Sequence, residues 1–146
     1  MISSVLLVCT ANICRSPMAA ALLASTTESA TVQVESAGVA ALSGEGPDPA
    51  VQDLLAAKGL DISGHRARQL ELTLARNFEL ILAMEARQVD WIKRAYPQLW
   101  GRTYRLGHWL DLDILDPYGG SSQDLQNAKS VIEKSLDQWH QRIQFA

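Results

Sequence analysis

The chain has 146 residues, 47% of them hydrophobic and 20% charged, enough to build a real core and too apolar for a disordered chain. Its 13 basic and 16 acidic residues leave a net charge of −3, and without a Lys/Arg run it lacks the basic footprint of a nucleic-acid or polybasic membrane binder. The longest uncharged stretch, residues 1–14, is shorter than a membrane span and has no basic start, so neither membrane insertion nor a secretory signal is expected.

No repeat, low-complexity tract or linker is visible, and residues 1–146 read as one domain. Residues 2–9 contain the apolar run Val5-Leu6-Leu7-Val8, the pattern of a strand buried on both faces of a parallel sheet. A polar loop follows, and Ser16-Pro17 then supplies an N-cap and an N1 proline, predicting a helix to about Ser25. Residues 31–36 read as a short strand in which Val32 and Val34 alternate with polar neighbours. Asp48-Pro49 repeats the cap-plus-proline signal ahead of Val51, Leu54 and Leu55, and Gly59-Leu60 predicts a Schellman stop. Residues 78–84 form another buried-strand pattern. Val89, Ile92 and Tyr96 share a helical face that must end before Pro97. Residues 104–107 are a weaker strand.

The last helix is predicted from Ser121, with Asp124 at N3 approaching a capping box. Its apolar stripe is Leu125, Ala128, Val131, Ile132, Leu136, Trp139 and Ile143. Strands alternating with helices predict an α/β fold, a doubly wound parallel sheet of four strands with helices on both faces. Ligands of such sheets bind beyond the carboxyl ends of the strands, which draws attention to the loop after Cys9.

That loop, Cys9-Thr10-Ala11-Asn12-Ile13-Cys14-Arg15-Ser16, spaces a cysteine and an arginine by five residues between a buried strand and a capped helix. The spacing alone is a weak signal, and Cys9 as a buried strand-end thiol is the plain alternative. In this context the loop can curl its amide N–H groups inward, as a phosphate-binding nest at the positive end of the helix. Arg15 can fork two oxygens of a bound tetrahedral oxyanion, and the same positive field favours a Cys9 thiolate. A thiolate beneath an oxyanion cradle suits phosphoryl transfer through a cysteinyl-phosphate. Such chemistry needs an acid for the leaving group, and Asp116 stands on a Pro117-Tyr118-Gly119-Gly120 turn before the last helix. No nucleotide-binding glycine motif and no convincing zinc spacing occur, so neither cofactor nor metal is expected. Cys9 and Cys14 are too few for a disulfide scaffold, and as free thiols they favour a cytoplasmic location.

Together, Cys9 to Pro17 near the start and Asp116-Pro117-Tyr118 near the end resemble the low-molecular-weight protein tyrosine phosphatases. Ser36-Ala37-Gly38, Pro47-Asp48-Pro49, His65-Arg66-Ala67-Arg68-Gln69 and Ile81-Leu82-Ala83-Met84 extend that resemblance along the whole chain. Gly107-His108-Trp109 and residues 35–69 are most similar to the bacterial branch acting on membrane tyrosine autokinases of capsule and exopolysaccharide export. The resemblance implies Cys9 as nucleophile, Arg15 as phosphate-binding arginine, Asp116 as general acid and base, and Ser16 as the hydroxyl that helps the thiolate. Asn12 matches an asparagine holding the loop in a left-handed turn, with Ser36 and His65 as its polar supports. Cys14 matches a second cysteine able to pair with the nucleophile under oxidation. Thr10, Ala11 and Ile13 complete the phosphate loop.

Leu42 and Tyr118 would flank the substrate ring. Leu42 stands where a tryptophan is common, and Gly119 where broadly aromatic rims carry another ring, so fewer peptide contacts are expected there. The expected partner is a phosphotyrosine protein, met as a monomer or weak oligomer. Two alternatives stay beside this reading: an arsenate reductase on the same fold and a phosphotyrosine-binding module without turnover. The thioredoxin-coupled reductases need three cysteines, and this chain has two.

Overall fold

The computed structural model describes residues 1–146. Four strands, β1 (Ser4–Cys9), β2 (Gln33–Gly38), β3 (Leu80–Ala83) and β4 (Thr103–Arg105), form one all-parallel sheet in the order β2-β1-β3-β4. Between them run α1 (Arg15–Ala24), α2 (Pro49–Ala56), the single turn α3 (Leu72–Ala75) and α4 (Ala86–Ala95), and α5 (Ser122–Arg142) closes the chain. The predicted fold class is the one observed.

Every residue of β1 is buried, because successive side chains feed opposite cores. Val5, Leu7 and Cys9, with Leu80 and Leu82, pack under α1 and α5 through Met18, Leu22, Ile132, Leu136 and Trp139. Leu6 and Val8, with Ile81 and Ala83, pack under α4 against Phe78, Val89, Ile92 and Leu99. The continuous apolar run thus has a simple cause: both faces of the strand are interior. No helix is long and apolar enough to cross a membrane.

The predicted caps of α2 and α5 are present. The Asp48 carboxylate accepts the Ala50 N–H, and Ser121 and Asp124 form a reciprocal capping box. The Schellman stop is also made, with Leu60 N–H reaching Leu55 O and Gly59 N–H reaching Ala56 O while Gly59 sits at φ 80°.

Other boundaries move, each for a local reason. The helix after the Cys9 loop begins at Arg15, with Cys14 at its N-cap and no side-chain cap; the Ser16 hydroxyl is engaged inside the loop instead. The second strand is displaced from 31–36 to Gln33–Gly38, since the Thr31 and Val32 amides close a turn on Glu28 O. The third is shorter than 78–84, since Phe78 N–H caps α3 on Ala75 O and Glu79 N–H goes to Ser4 Oγ. The fourth is Thr103–Arg105 rather than 104–107: at Gly107 the chain meets Leu112, whose carbonyl oxygen would lie 2.3 Å from an added Cβ.

Candidate active site

At the carboxyl end of the sheet the chain leaves β1 toward one side and β3 toward the other, the crevice where α/β sheets hold ligands. The loop from Cys9 to Ser16 sits there, and its backbone is turned inside out. Six successive carbonyls point away from the loop and are all accounted for. Val39, Ala40 and Leu42 amides donate to Cys9, Thr10 and Ala11 at 2.9–3.1 Å. His65 Nε2 lies 2.7 Å from Asn12 O, and Asp48 and Met18 amides donate to Ile13 and Cys14 at 2.8 and 3.2 Å. Because a carbonyl only accepts, His65 carries its proton on Nε2. The amides of Thr10, Ala11, Ile13 and Cys14 make no bond within the protein. This is the nest that a tetrahedral anion fills, set against the start of α1.

Asn12, fully buried at φ 61°, holds that curl. The Arg68 amide donates to its Oδ1 at 3.0 Å, which fixes the orientation of the side chain. Its Nδ2 therefore donates to Ser16 Oγ at 2.8 Å and Ser36 Oγ at 3.0 Å. Ser16 Oγ, which accepts from Asn12, lies 2.9 Å from Cys9 Sγ and 3.5 Å from Ala37 O, and its proton goes to the sulfur when Cys9 is ionised. The Asn12 N–H reaches the same sulfur at 3.3 Å. A Cys9 thiolate would thus receive two hydrogen bonds, from the Asn12 N–H and the Ser16 hydroxyl.

Arg15 is 2% exposed, and its Nη1 donates to Ile114 O at 2.8 Å and pairs with Glu85 Oε1 at 3.1 Å. Its Nε lies 3.9 Å from Asp116 Oδ1. Asp116 is exposed, held by the Tyr118 N–H on the same oxygen at 3.0 Å. A cavity of about 80 Å³ joins these groups. Cys9, Cys14 and Arg15 line it, Ala11, Ile13, Leu42 and Tyr118 give it apolar walls, and Asp116 completes it. Of the residues expected at the loop, the acid position and the ring-flanking walls, these eight line the cavity, while Thr10, Asn12 and Ser16 do not. Burial, reinforced by the nearby Asp48, Asp116 and Cys9 and opposed by Arg15, pushes the Cys14 thiol up to about 12. Cys14 is therefore a thiol at neutral pH.

Sequence reasoning missed three contributors. Glu85, at the N-cap of α4, pairs with both Arg15 and Arg87. Gln88, buried at N3 of the same helix, donates to Thr10 Oγ1 at 3.0 Å. Gly38 lies opposite Cys9 in the sheet, where a Cβ would come within 2.4 Å of Thr10 O. The rule that ligands gather at strand ends applies equally to β3, and the Glu85-x-x-Gln88 spacing just after it was the available signal. No three His, Cys, Asp or Glu side chains converge as a metal site.

The chain matches the family described as low molecular weight phosphotyrosine protein phosphatase over residues 4–146. It is 42% identical over 143 residues to the probable low molecular weight protein-tyrosine-phosphatase EpsP of Ralstonia nicotianae, spanning 98% of this chain and 97% of that protein. The crystal structure of the tyrosine phosphatase Wzb from Escherichia coli K30 in complex with sulphate has a TM-score of 0.90 at 34% identity, covering 97% of this chain and 99% of that one. The YwlE arginine phosphatase of Geobacillus stearothermophilus has a TM-score of 0.88 at 33% identity, covering 96% and 92%. Sequence and architecture agree over nearly the whole length, and the chain belongs to the low molecular weight phosphotyrosine protein phosphatases.

Proposed function

We propose that this phosphatase hydrolyses phosphotyrosine through a cysteinyl-phosphate, within one catalytic domain spanning residues 1–146. The observation that carries the reading is the inward-facing amide nest around a Cys9 Sγ that accepts the Asn12 N–H and lies 2.9 Å from the Ser16 hydroxyl. In the first step the Cys9 thiolate attacks phosphorus. The S–P bond forms, the P–O bond to the ring breaks, and Asp116 gives its proton to the departing phenoxide. In the second step water attacks phosphorus and passes a proton to Asp116. The S–P bond breaks, and phosphate and thiolate are released. Arg15 and the loop amides hold the equatorial oxygens throughout, where negative charge is greatest. Glu85 holds the Arg15 guanidinium beside the nest.

The apolar walls at Ala11, Ile13, Leu42 and Tyr118 favour an aryl ring over a guanidinium, and so phosphotyrosine over phosphoarginine. For the physiological substrate we take a phosphorylated tyrosine segment of a bacterial membrane tyrosine autokinase of exopolysaccharide or capsule export. Support comes from Gly107-His108-Trp109 and residues 35–69. The enzyme would act from the cytoplasm, as a monomer or weak oligomer, without cofactor.

Cys9→Ser tests the reading. A hydroxyl does not ionise near neutral pH, while the nest and Arg15 persist, so turnover should vanish and phosphopeptide should stay bound. On a panel of peptides, wild-type enzyme should release phosphate from phosphotyrosine far faster than from phosphoserine or phosphoarginine. Near-parental activity in Cys9→Ser would remove Cys9 as nucleophile, and preference for phosphoarginine would overturn the tyrosine assignment. Arsenate-dependent thiol consumption without ester hydrolysis would restore the reductase alternative.

A further inference from the structure

We propose that Asp113 is a positioning residue for the acid loop, clamping its base so that Asp116 stands over Cys9. The inference rests on the reading of Asp116 as the general acid.

The loop from Gly107 to Gly120 has no regular structure beyond the single 3-10 turn His108–Leu110 and the turn after Pro117, yet it must hold a catalytic carboxyl in place. His108 and Trp109 pack on Trp139 at the loop's start, and nearer the carboxyl the ties are made by Asp113 and Ile114. Asp113 Oδ1 accepts the Ala86 N–H, the first amide of α4, at 3.0 Å and Arg105 Nη1, from the end of β4, at 3.1 Å. Arg105 Nη2 also donates to Asp111 at 2.6 Å. The next residue, Ile114, is buried and bonded through both backbone groups. Its N–H reaches Met84 O at 2.9 Å, and its carbonyl accepts Arg15 Nη1 at 2.8 Å. Residues 113 and 114 thus join β3, α4, β4 and the phosphate loop. Asp116 follows two residues later, beside the same Arg15.

Beyond Ile114 the acid itself has little support: a contact with its own turn at Tyr118 and a long approach to Arg15. Its position is therefore set from residue 113. Burial works against the Arg105 charge, but the two aspartates more than offset it and raise Arg105 above the ordinary arginine range, so Arg105 stays charged.

Asp113→Ala removes the clamp without touching the nest. A poorly placed acid harms esters that need protonation most. The kcat/KM for phenyl phosphate should fall about tenfold, and that for p-nitrophenyl phosphate by no more than about twofold; kcat is no guide, because hydrolysis of the cysteinyl-phosphate is common to both esters. Inhibition by inorganic phosphate should change by less than about twofold, because Arg15 and the amides remain. Asp113→Asn keeps an acceptor for the Ala86 N–H and should fall between wild type and Asp113→Ala. In an Asp116→Asn background, where no acid is left to place, adding Asp113→Ala should cost less than about twofold.

Equal losses on both esters, or the same factor in both backgrounds, would overturn the proposal, since a general loss of structure does not depend on the leaving group. If Asp113→Ala does not fold, Arg105→Gln breaks the clamp from the other side and must give the same pattern. The underlying reading fails separately: if Asp116→Asn itself costs the same in kcat/KM on both esters, Asp116 is not the acid, and the proposal falls with it.

Discussion

Asn12 shows how one side chain can determine a reactive group it barely touches. All its polar atoms are bonded, and its Nδ2 donates to Ser16 Oγ, leaving the Ser16 proton free to reach an ionised Cys9 Sγ. The second cysteine obeys a different constraint. Cys9 and Cys14 line one cavity and are both free thiols, but Cys14 is held protonated by burial and by neighbouring carboxylates. Peroxide should therefore convert the Cys9 thiolate to a sulfenic acid, releasing hydroxide. Attack by Cys14 on that sulfur then expels water and leaves a disulfide. Only the Cys14 thiolate attacks, and below a value of about 12 its fraction rises tenfold per pH unit. Closure of the disulfide after a peroxide pulse should accelerate about tenfold from pH 7 to pH 8. Mass spectrometry would follow it as the loss of two hydrogens, reversed by dithiothreitol. Closure at a rate indifferent to pH would mean that Cys14 is not the attacking group.

At the level of elements, the strand ends decide how closely the phosphate loop can pack. Gly38 faces Cys9 across the sheet, and an added Cβ would meet Thr10 O at 2.4 Å and Asn12 N at 3.1 Å. These are backbone atoms of the nest, so Gly38→Ala must displace it. The kcat/KM should fall about a hundredfold, with about 1–3 kcal/mol of stability lost to overpacking. Gly64→Ala, with nothing within 4 Å of its Cβ, is the control for denaturation and kinetics and should be nearly silent. A similarly silent Gly38→Ala would mean that the nest tolerates displacement.

The same elements show what the sequence made legible. Apolar runs and caps revealed β1, α2 and α5 because their causes are local: burial on both faces, a carboxylate on an amide, a reciprocal box. Ser16 was misread as an N-cap because its hydroxyl answers to Cys9 and Asn12, a demand of the site that overrides the local rule. Glu85 and Gln88 went unnoticed because Glu is a modest cap, and their meaning lies in contacts with Arg15 and Thr10, 70 and 78 residues away in sequence. Both candidate motifs, at Cys9 and at Asp116, were visible, but the contacts of Asp113 were not, since only folding brings Ala86 and Arg105 to it.

Across the whole molecule, the anion site is where otherwise separate parts meet. The nest hangs from β1, is braced by residues after β2 and before α2, and touches α4 through Gln88. The acid loop adds Ile114 to Arg15, and β1 and β3 serve both hydrophobic cores. An oxyanion that neutralises the inward amides and the buried Arg15 binds only the folded arrangement, since the unfolded chain has no nest. Inorganic phosphate should therefore stabilise the entire fold. At a hundredfold excess over its Kd the gain is about 2.7 kcal/mol, which for a chain of this size raises Tm by about 10 °C. Asp116→Asn and Asp113→Ala leave the nest complete and should keep that shift. Arg15→Ala should lose most of it, while Arg87 remains to partner Glu85. Thermal scans with and without phosphate would decide the matter, with chloride at equal ionic strength as the control. A full shift in Arg15→Ala would mean that the anion binds elsewhere, and that the amides around Cys9 are not the cradle their geometry describes.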